Sequence, residues 1–539
     1  MLAWTAKAVV AGALAPRVLL AAGKTSDAQP HGAIGGEPAA ERTGARVLAE
    51  GGNAVDAIVA AALTAAVSAP QMTGIGGYGG HMIIALADGS KVSSIDFNCR
   101  APAAAHEGMF PLDEKGNVRH RANSFGWLAA GVPGVLAGMQ LALERYGTRS
   151  FRDSVGPALE LARTGFKLGP GLAATMRGCA TQFRADEGSR KLFFKEGKPL
   201  AAGETFRNPD LAALLATLAE RNSVDSFYRG DIAQRIAGDF KKHGGLVTAE
   251  DLAAYHAHEV ESLALEWRGF DIRTAPLTAG GLTVLQALAI LRALEWDNTP
   301  AGFARTHALV EALRFAWHDR LRLLGDPGGA KEPVTKLLSP DYAGEAAAQI
   351  GQVVKENSFL PLHTESRVQT GTINLSAVDR HGNMAVCTFT HGGSFGARVT
   401  VDGLGLTLGH GMSRFEPRPG HPNSPGPGKR PLHNMCPAIV LRQGRPIFGL
   451  GGRGGRRIPN AVFAALTQFV ALDRNMAEAI AAPRLHTEGR ANVQLEKAWP
   501  DADLKALVRL GYVVRTGPAA TLSAVSFDPQ TGECRVATR

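Results

Sequence analysis

The segment "FGLGGRGGRR" (448–457) sets Gly449, Gly451 and Gly454 at the spacing G-x-G-x-x-G. Glycines in that pattern leave backbone N–H groups unobstructed at the start of a helix, where the chain can hold negative charge. Two chemistries fit: a dinucleotide pyrophosphate, or the oxyanion that develops during acyl transfer. The dinucleotide alternative is an oxidoreductase binding NAD through these three glycines. It needs a parallel strand–helix–strand unit and an acid about 20 residues on. Asp473 has that distance, but it follows the helical pattern in "ALDRN" with no clear strand leading into it. Other reactive groups are dispersed. Cys99, Cys179, Cys387, Cys436 and Cys534 form no CxxC pair, and the 16 histidines form no HExxH. Neither a metal site nor a disulfide framework is supported, and no cofactor is implied. His256 and His258 in "YHAHEV" read as surface or turn residues.

The elements around the glycines weigh against the nucleotide. "PAIVLRQGRPIFGL" is two apolar runs about a Gln-Gly turn, an antiparallel hairpin. "IPNAVFAALTQFVAL" then predicts a helix, with a proline in its first turn and apolar residues at helical spacing. Upstream, "EPAAERTGARVLAEGGNAVDAIVAAALTAAVSAP" reads as two Ala-rich helices broken at Gly-Gly-Asn. "GGYGGHMIIALADGSKVSSIDF" reads as a hairpin turned at Asp88-Gly89, and residues 130 to 260 read as mostly helical. Near residue 372 the texture changes: "TINLSAVDRHGNMAVCTFT" is two alternating runs about a turn at 380–383. The stretch "PRPGHPNSPGPGKRP" (417–431) has the composition of a flexible lid. Helix-rich first and strand-rich later, the chain suits an α/β sandwich of layers.

Composition sets outer bounds. A chain of 539 residues holds two to four domains or one large layered domain. The net charge of +9 comes from scattered residues with no Lys/Arg run interleaved with aromatics, which fits a solvated surface and no nucleic-acid partner. The N-terminal "MLAWTAKAVVAGALAPRVLLAAG" has the outline of an export leader, but Pro16 and Arg17 interrupt it and it is too short to span a bilayer. Residues 1–32 are read as a leader or an extension. The protein is periplasmic or secreted on the first reading and cytoplasmic on the second.

Gly371-Thr372 marks the point where a loop meets a strand, and on local pattern Thr372 is an ordinary β-former. Seven stretches overturn that reading because together, in order, they resemble the gamma-glutamyltransferase family of N-terminal-nucleophile hydrolases. They are "VLAEGGNAVDAIVAAALTAAVSAPQMTGIGGYGGHM", "GVPGVLAGMQLALERYGT", "PLTAGGLTVLQALAIL", "HDRLRLLGDP", "TINLSAVDRHGNMAVCTFT", "GKRPLHNMCPAIVL" and "GGRGGRRI". The resemblance implies a four-layer αββα fold and a precursor that cuts itself between Gly371 and Thr372. Residues 33–371 and 372–539 then form two interlocked subunits of one domain. It implies Thr372 as nucleophile, with its freed α-amine as base, and Thr390 as the threonine that hydrogen-bonds the nucleophile. Gly454 and Gly455 match the paired glycines whose N–H groups form the oxyanion hole.

The match fails at the acyl clamp. The family's amine-binding aspartate position is Arg414, its neighbouring glutamine position is Gly411, and the asparagine two residues after Thr390 is Gly392. The serine pair is His433-Asn434, and the carboxylate-binding arginine position is Asn98, with Arg100 two residues on. Arg414 in place of an acid repels a substrate ammonium. A pocket with Arg414, Arg100 and Arg453 suits an acyl group that bears a carboxylate and no α-amine, with His433 and Asn434 alongside. Glu416 could restore an amine contact. The expected protein is therefore a self-processing amidohydrolase acting on a small-molecule amide, a heterodimer of its own subunits, with a dimer of these left open. True γ-glutamyl transfer is the near alternative. An inactive binding protein and the nucleotide oxidoreductase are the distant ones.

Overall fold

The computed structural model describes residues 24–328, 332–362 and 371–539. Most of the leader expected at 1–32 lies outside the described residues, as does 363–370, just before the expected cut.

Two antiparallel sheets stack face to face. In one, the spatial order is Gly32–Gly35, Ile373–Asp379, Met384–Thr390, Gly79–Ala85, Val92–Asp96, His258–Glu261. In the other it is Lys24–Thr25, Cys534–Thr538, Thr521–Phe527, Arg445–Arg453, Ala438–Arg442, Phe270–Thr274, Leu263–Trp267. Alternation in the hairpin 373–390 predicts one buried and one solvated face, yet both of its strands are buried throughout. The reason is that both faces are covered. Ile373, Leu375 and Ala377 face the helices with Ala385, Cys387 and Phe389. Val378, Met384 and Val386 face the second sheet, meeting Ile439 and Val525. A polar set on the same inter-sheet face survives because it is saturated: Asn374 Nδ2 donates to Ser376 Oγ (3.1 Å) and Ser523 Oγ (2.7 Å), and its Oδ1 accepts from Thr388 Oγ1 at 2.7 Å.

The outer layers follow from sequence as directly. Asn53 caps the helix Ala54–Ser68 in a reciprocal box with Asp56, and this nearly all-apolar helix is buried almost all round against the 373–390 hairpin. The helices Gly281–Ala293 and Arg457–Leu466 cover the second sheet. The result is helix, sheet, sheet, helix. Both sheets pair strands from either side of residue 371: Gly79–Ala85 with Met384–Thr390, and Phe270–Thr274 with Ala438–Arg442. Segments 33–371 and 372–539 thus share one core.

One expectation changes. The stretch 417–431 is a packed strap rather than a loose lid, with Asn423–Gly426 buried. Asn423 accounts for this: its Nδ2 donates to Arg414 O (2.8 Å), its Oδ1 accepts from Leu432 N (3.0 Å) and its backbone O accepts from Glu416 N (2.8 Å). Composition registers turn residues, but not that their own side chains tie the turns down.

Candidate active site

Thr372 is buried, 5% exposed, at the first step of the central strand. Gly371 has φ +97° and Thr372 itself +132°, a region that a β-branched residue rarely enters. Such backbone costs about 1–3 kcal/mol and marks a bond held in place by its surroundings. The Thr372 hydroxyl reaches the Thr390 hydroxyl on the neighbouring strand at 3.5 Å, and Thr390 Oγ1 also accepts from Gly392 N at 2.7 Å. A Cβ on Gly371 would lie 3.1 Å from Gly393 Cα and 3.2 Å from Gly392 O, so the 392–393 turn closes over the 371–372 peptide.

Register brings the glycines of 448–457 to the same place. Gly449 packs on Val386, and Gly451 lies directly against Asn374. The strand Arg445–Arg453 therefore runs opposite to Ile373–Asp379, and its C-terminal end is directed toward the end of that strand that carries Thr372. Among the described residues neither the Gly454 nor the Gly455 N–H has a hydrogen-bond acceptor. Both glycines have positive φ, +143° and +65°, and the helix Arg457–Leu466 starts immediately after them. Two N–H groups without acceptors at a helix N-terminus are what a developing oxyanion needs.

The nucleotide alternative ends here. Gly449 and Gly451 lie inside a strand whose neighbours on both sides are antiparallel. Gly451 is glycine because a Cβ there would sit 2.1 Å from Asn374 Oδ1, a demand of sheet packing and not of a phosphate.

Around Arg414 a cavity of about 70 Å³ is lined by Arg320, Arg414, Glu416, Asn434, Arg456 and the Trp317 ring, among others. Arg414 donates to Gly392 O, the residue whose N–H bonds Thr390, and hydrogen-bonds Tyr78. Its pKa is held below the usual arginine value, first by burial, with Arg456 adding repulsion. Arg320 is lowered to about 10 by burial and by Arg456. Arg320 donates to the backbone oxygens of His433 and Ala279 and so holds the loop that carries Asn434. Arg456 pairs with Glu488 at 2.7 Å. Burial opposes the Glu488 charge, but hydrogen bonds from His486 and the charge of Arg456 bring its pKa down to about 2. Three guanidiniums meeting at one cavity, one of them at the positive end of a helix dipole, form a site that favours an anion.

Not every expected residue comes to this group. Arg414 and Asn434 line the cavity, and Arg100 does not: its Nε donates to Gly428 O (3.1 Å) and its Nη1 to Ala254 O (3.4 Å), fastening the strap. Arg453, in the strand, turns its Nη1 to Met72 Sδ at 3.9 Å. The His433 ring packs at a tilt of 42° against buried His81, centroids 4.8 Å apart, with its pKa well below the usual value because of burial. Asn98 directs its Nδ2 to Thr278 Oγ1 (2.6 Å) and Pro431 O (2.9 Å). Arg320 and Arg456 were missed. "RGGRR" carried a signal for Arg456, since the residue after the paired glycines caps the helix beside the site. Among the described residues no group of His, Cys, Asp and Glu could hold a metal, and no helix is long and apolar enough to cross a membrane.

A family model described as Gamma-glutamyltranspeptidase matches residues 40–538. The chain is 36% identical over 493 residues to the glutathione hydrolase proenzyme of Escherichia coli (strain K12), covering 88% of this chain and 84% of that protein. It is 34% identical over 503 residues to the acylase ACY 1 proenzyme of Pseudomonas sp. (strain SE83), covering 91% and 89%. The cephalosporin acylase from Bacillus halodurans superposes with a TM-score of 0.81 at 26% identity, over 99% of this chain and 97% of that one.

Proposed function

The chain belongs to the gamma-glutamyltranspeptidase family, and from that premise we propose that it cuts itself between Gly371 and Thr372 and then hydrolyses amides whose acyl group carries a carboxylate and no α-amine. The Thr372 hydroxyl attacks the Gly371 carbonyl, the C–N bond gives way to an ester, and water releases residues 372–539 with a free N-terminal amine. Residues 33–371 remain interlocked with them, preceded by the leader or extension at 1–32. In turnover the same hydroxyl attacks the substrate carbonyl. Its proton passes to the α-amine, whose reference pKa of about 7.7–8.0 suits a base near neutrality. Thr390 orients the hydroxyl, and Gly454 and Gly455 donate to the oxyanion. The amine leaves with that proton, and water, activated by the α-amine, then hydrolyses the acyl ester.

The observation that carries the reading is the Thr372–Thr390 hydroxyl contact at 3.5 Å beneath a backbone at φ +132°. The acyl preference is supported by Arg320, Arg414 and Arg456 around one cavity. The E. coli and Pseudomonas relatives are named as hydrolase and acylase respectively, and the arginines favour the acylase side. A γ-glutamyl reading draws support from Glu416, which lines the same cavity, although Arg418 Nε holds its Oε1 at 2.7 Å.

The test is a denaturing gel with N-terminal sequencing. Scaling 56.6 kDa by 371/539 and 168/539 gives bands of about 39 and 18 kDa. The smaller band should begin Thr-Ile-Asn-Leu and be absent in Thr372→Ala. A single uncut band under all conditions overturns self-processing and brings forward the inactive binding protein.

A further inference from the structure

A cavity of about 20 Å³ lies between the glycine loop 73–76 and His391, the residue after Thr390. Every residue that lines it is buried except Leu192, and none is charged. Four of them carry polar side chains, and two of these are satisfied within the protein. Asn208 Nδ2 donates to Gly405 O (2.8 Å) and its Oδ1 accepts from Leu211 N (3.1 Å), while the Thr407 hydroxyl meets that of Thr400 at 3.1 Å. The other two are not. Thr73 and His391 are 0% and 1% exposed, and Thr73 Oγ1 and His391 Nδ1 have no hydrogen-bond partner among the described residues. Such groups lose their hydration on folding, and a fold rarely leaves them without a replacement.

The state of the His391 ring decides what the cavity accepts. Burial pushes its pKa down to about 3, so the imidazole is neutral, with one N–H and one bare nitrogen. The ring hydrogen-bonds the Thr73 backbone in the sense that favours its proton, so a carbonyl accepts from the ring. The nitrogen that lies against Gly74 is Nε2. Nε2 is therefore the donor, and Nδ1 keeps a lone pair. A lone pair and a hydroxyl on one small wall call for a group that donates to the first and accepts from the second. An ion would find no counter-charge there, and an apolar group would satisfy neither. Water does both, and it needs only about 10–15 Å³.

Main-chain bonds tie this cavity to the nucleophile's partner. His391 N donates to Met72 O (2.9 Å), Tyr78 N to Thr390 O (3.0 Å) and Phe395 N to Gln71 O (3.1 Å), so the loop 71–78 and the turn 390–395 are fastened together around it. That turn carries both Thr390 and the Gly392 N–H that bonds its hydroxyl. We propose that one water molecule is bound in this cavity, donating to His391 Nδ1 and accepting from the Thr73 hydroxyl, and that through it His391 is a positioning residue for the turn that orients Thr372. The positioning role rests on the reading of Thr390 given above, whereas the water site stands on its own contacts.

A crystal structure that shows ordered solvent tests the site directly. One water should lie within hydrogen-bond distance of both Thr73 Oγ1 and His391 Nδ1, and it should be lost in Thr73→Val. A native map with no water there, or with the Thr73 hydroxyl bonded to another group, overturns the proposal. The role is read from the kinetics of glutaryl- or γ-glutamyl-4-nitroanilide, whichever turns over. Thr73→Val keeps the outline of the side chain and removes its hydroxyl. It should lower kcat about threefold or more with KM within about twofold of native, and Thr73→Ser should restore kcat. His391→Gln keeps an N–H for the Thr73 carbonyl but has no acceptor at the δ position, so adding Thr73→Val to it should change nothing further. Additive losses in the double variant, or a kcat unmoved by Thr73→Val, overturn the positioning role, because a merely structural contact lowers Tm and leaves kcat alone. If neither anilide turns over, the hydrolase reading fails, and the map at Thr73 and His391 still decides the site.

Discussion

Of the three arginines behind the proposed acyl preference, Arg414 is the one that replaces an acid, so the decisive perturbation is Arg414→Asp. A substrate ammonium that the native pocket repels would then be attracted. Unit charges 4 Å apart interact by about 1 kcal/mol in bulk water and about 4 kcal/mol at an effective dielectric near 20. Reversing the sign at Arg414 therefore shifts the discrimination between an acyl group with an α-amine and one without by about 2–8 kcal/mol, at least about 30-fold. Arg414 also holds the Gly392 carbonyl, so the substitution lowers overall activity as well. The readout is for that reason a ratio: kcat/KM for glutaryl-4-nitroanilide over that for γ-glutamyl-4-nitroanilide, at low ionic strength and a pH where the ammonium is charged. General damage cancels in the ratio, as do the contributions of Arg320 and Arg456. Arg414→Gln should give about half the shift, roughly fivefold at the lower bound. A ratio that stays within threefold of native in Arg414→Asp refutes the electrostatic argument, because no repositioning of the loop would hide a full reversal of charge.

Further outcomes follow from single contacts. Thr390→Val deprives Gly392 N of its acceptor and the Thr372 hydroxyl of its partner. It should slow self-cleavage in a gel time course and lower stability by about 1–3 kcal/mol in urea unfolding. Gly454→Ala brings a Cβ to 3.0 Å from Ala520 at φ +143° and disturbs an oxyanion donor; kcat should fall by roughly 10²–10³, and an unchanged kcat would remove Gly454 from the mechanism. Gly451→Ala would drive a Cβ into Asn374 Oδ1 and should cost about 1–3 kcal/mol by overpacking, seen as a lowered Tm. His391 and His410 are each lowered to about 3, both chiefly by burial, His410 also by the charge of Arg414. Their neutral forms belong to the folded state, so the stability they contribute is complete above about pH 6.5 and is lost as pH falls from there toward 3. At pH 5.5 the loss is roughly 1 kcal/mol for each histidine. The urea midpoint should fall between pH 7 and 5.5, less steeply in His410→Gln, and a flat profile would contradict the burial of these rings.

Periodicity carried most of the fold. The Gly-Gly-Asn break yields the capped helix Ala54–Ser68, and alternation in 373–390 yields the central hairpin. What it did not carry was whether a strand's second face is wet, because the polar half of "TINLSAV" looks solvated until Ser523 and Thr388 are seen to saturate it. The Pro/Gly-rich stretch misled for a related reason: turn chemistry states where a chain bends, and only tertiary contacts state whether the bends are tied.

The arginines show where legibility stops. "GGRGGRR" offers Arg453, Arg456 and Arg457 within five residues, and composition cannot rank them. Direction does. Arg453 ends a strand and turns to Met72, while Arg457 opens the helix and folds back on the Gly454 and Pro518 carbonyls. Arg456, on the cap between them, leans over Trp317 toward Arg414 and is held there by Glu488. A cation at a helix N-terminus opposes the dipole, and its neighbour Glu488 offsets that cost. Arg456 accordingly stays beside the glycine pair that, in the proposed mechanism, holds the oxyanion for the duration of one chemical step. On the proposed mechanism, the anion preference of the acyl pocket and the oxyanion preference of the glycines are two consequences of the same helix start. A substrate carboxylate bound too near Arg456 would therefore weaken the field that the oxyanion uses. This is the physical reason to expect an acyl chain long enough to hold its carboxylate at Arg414, away from the reacting carbonyl.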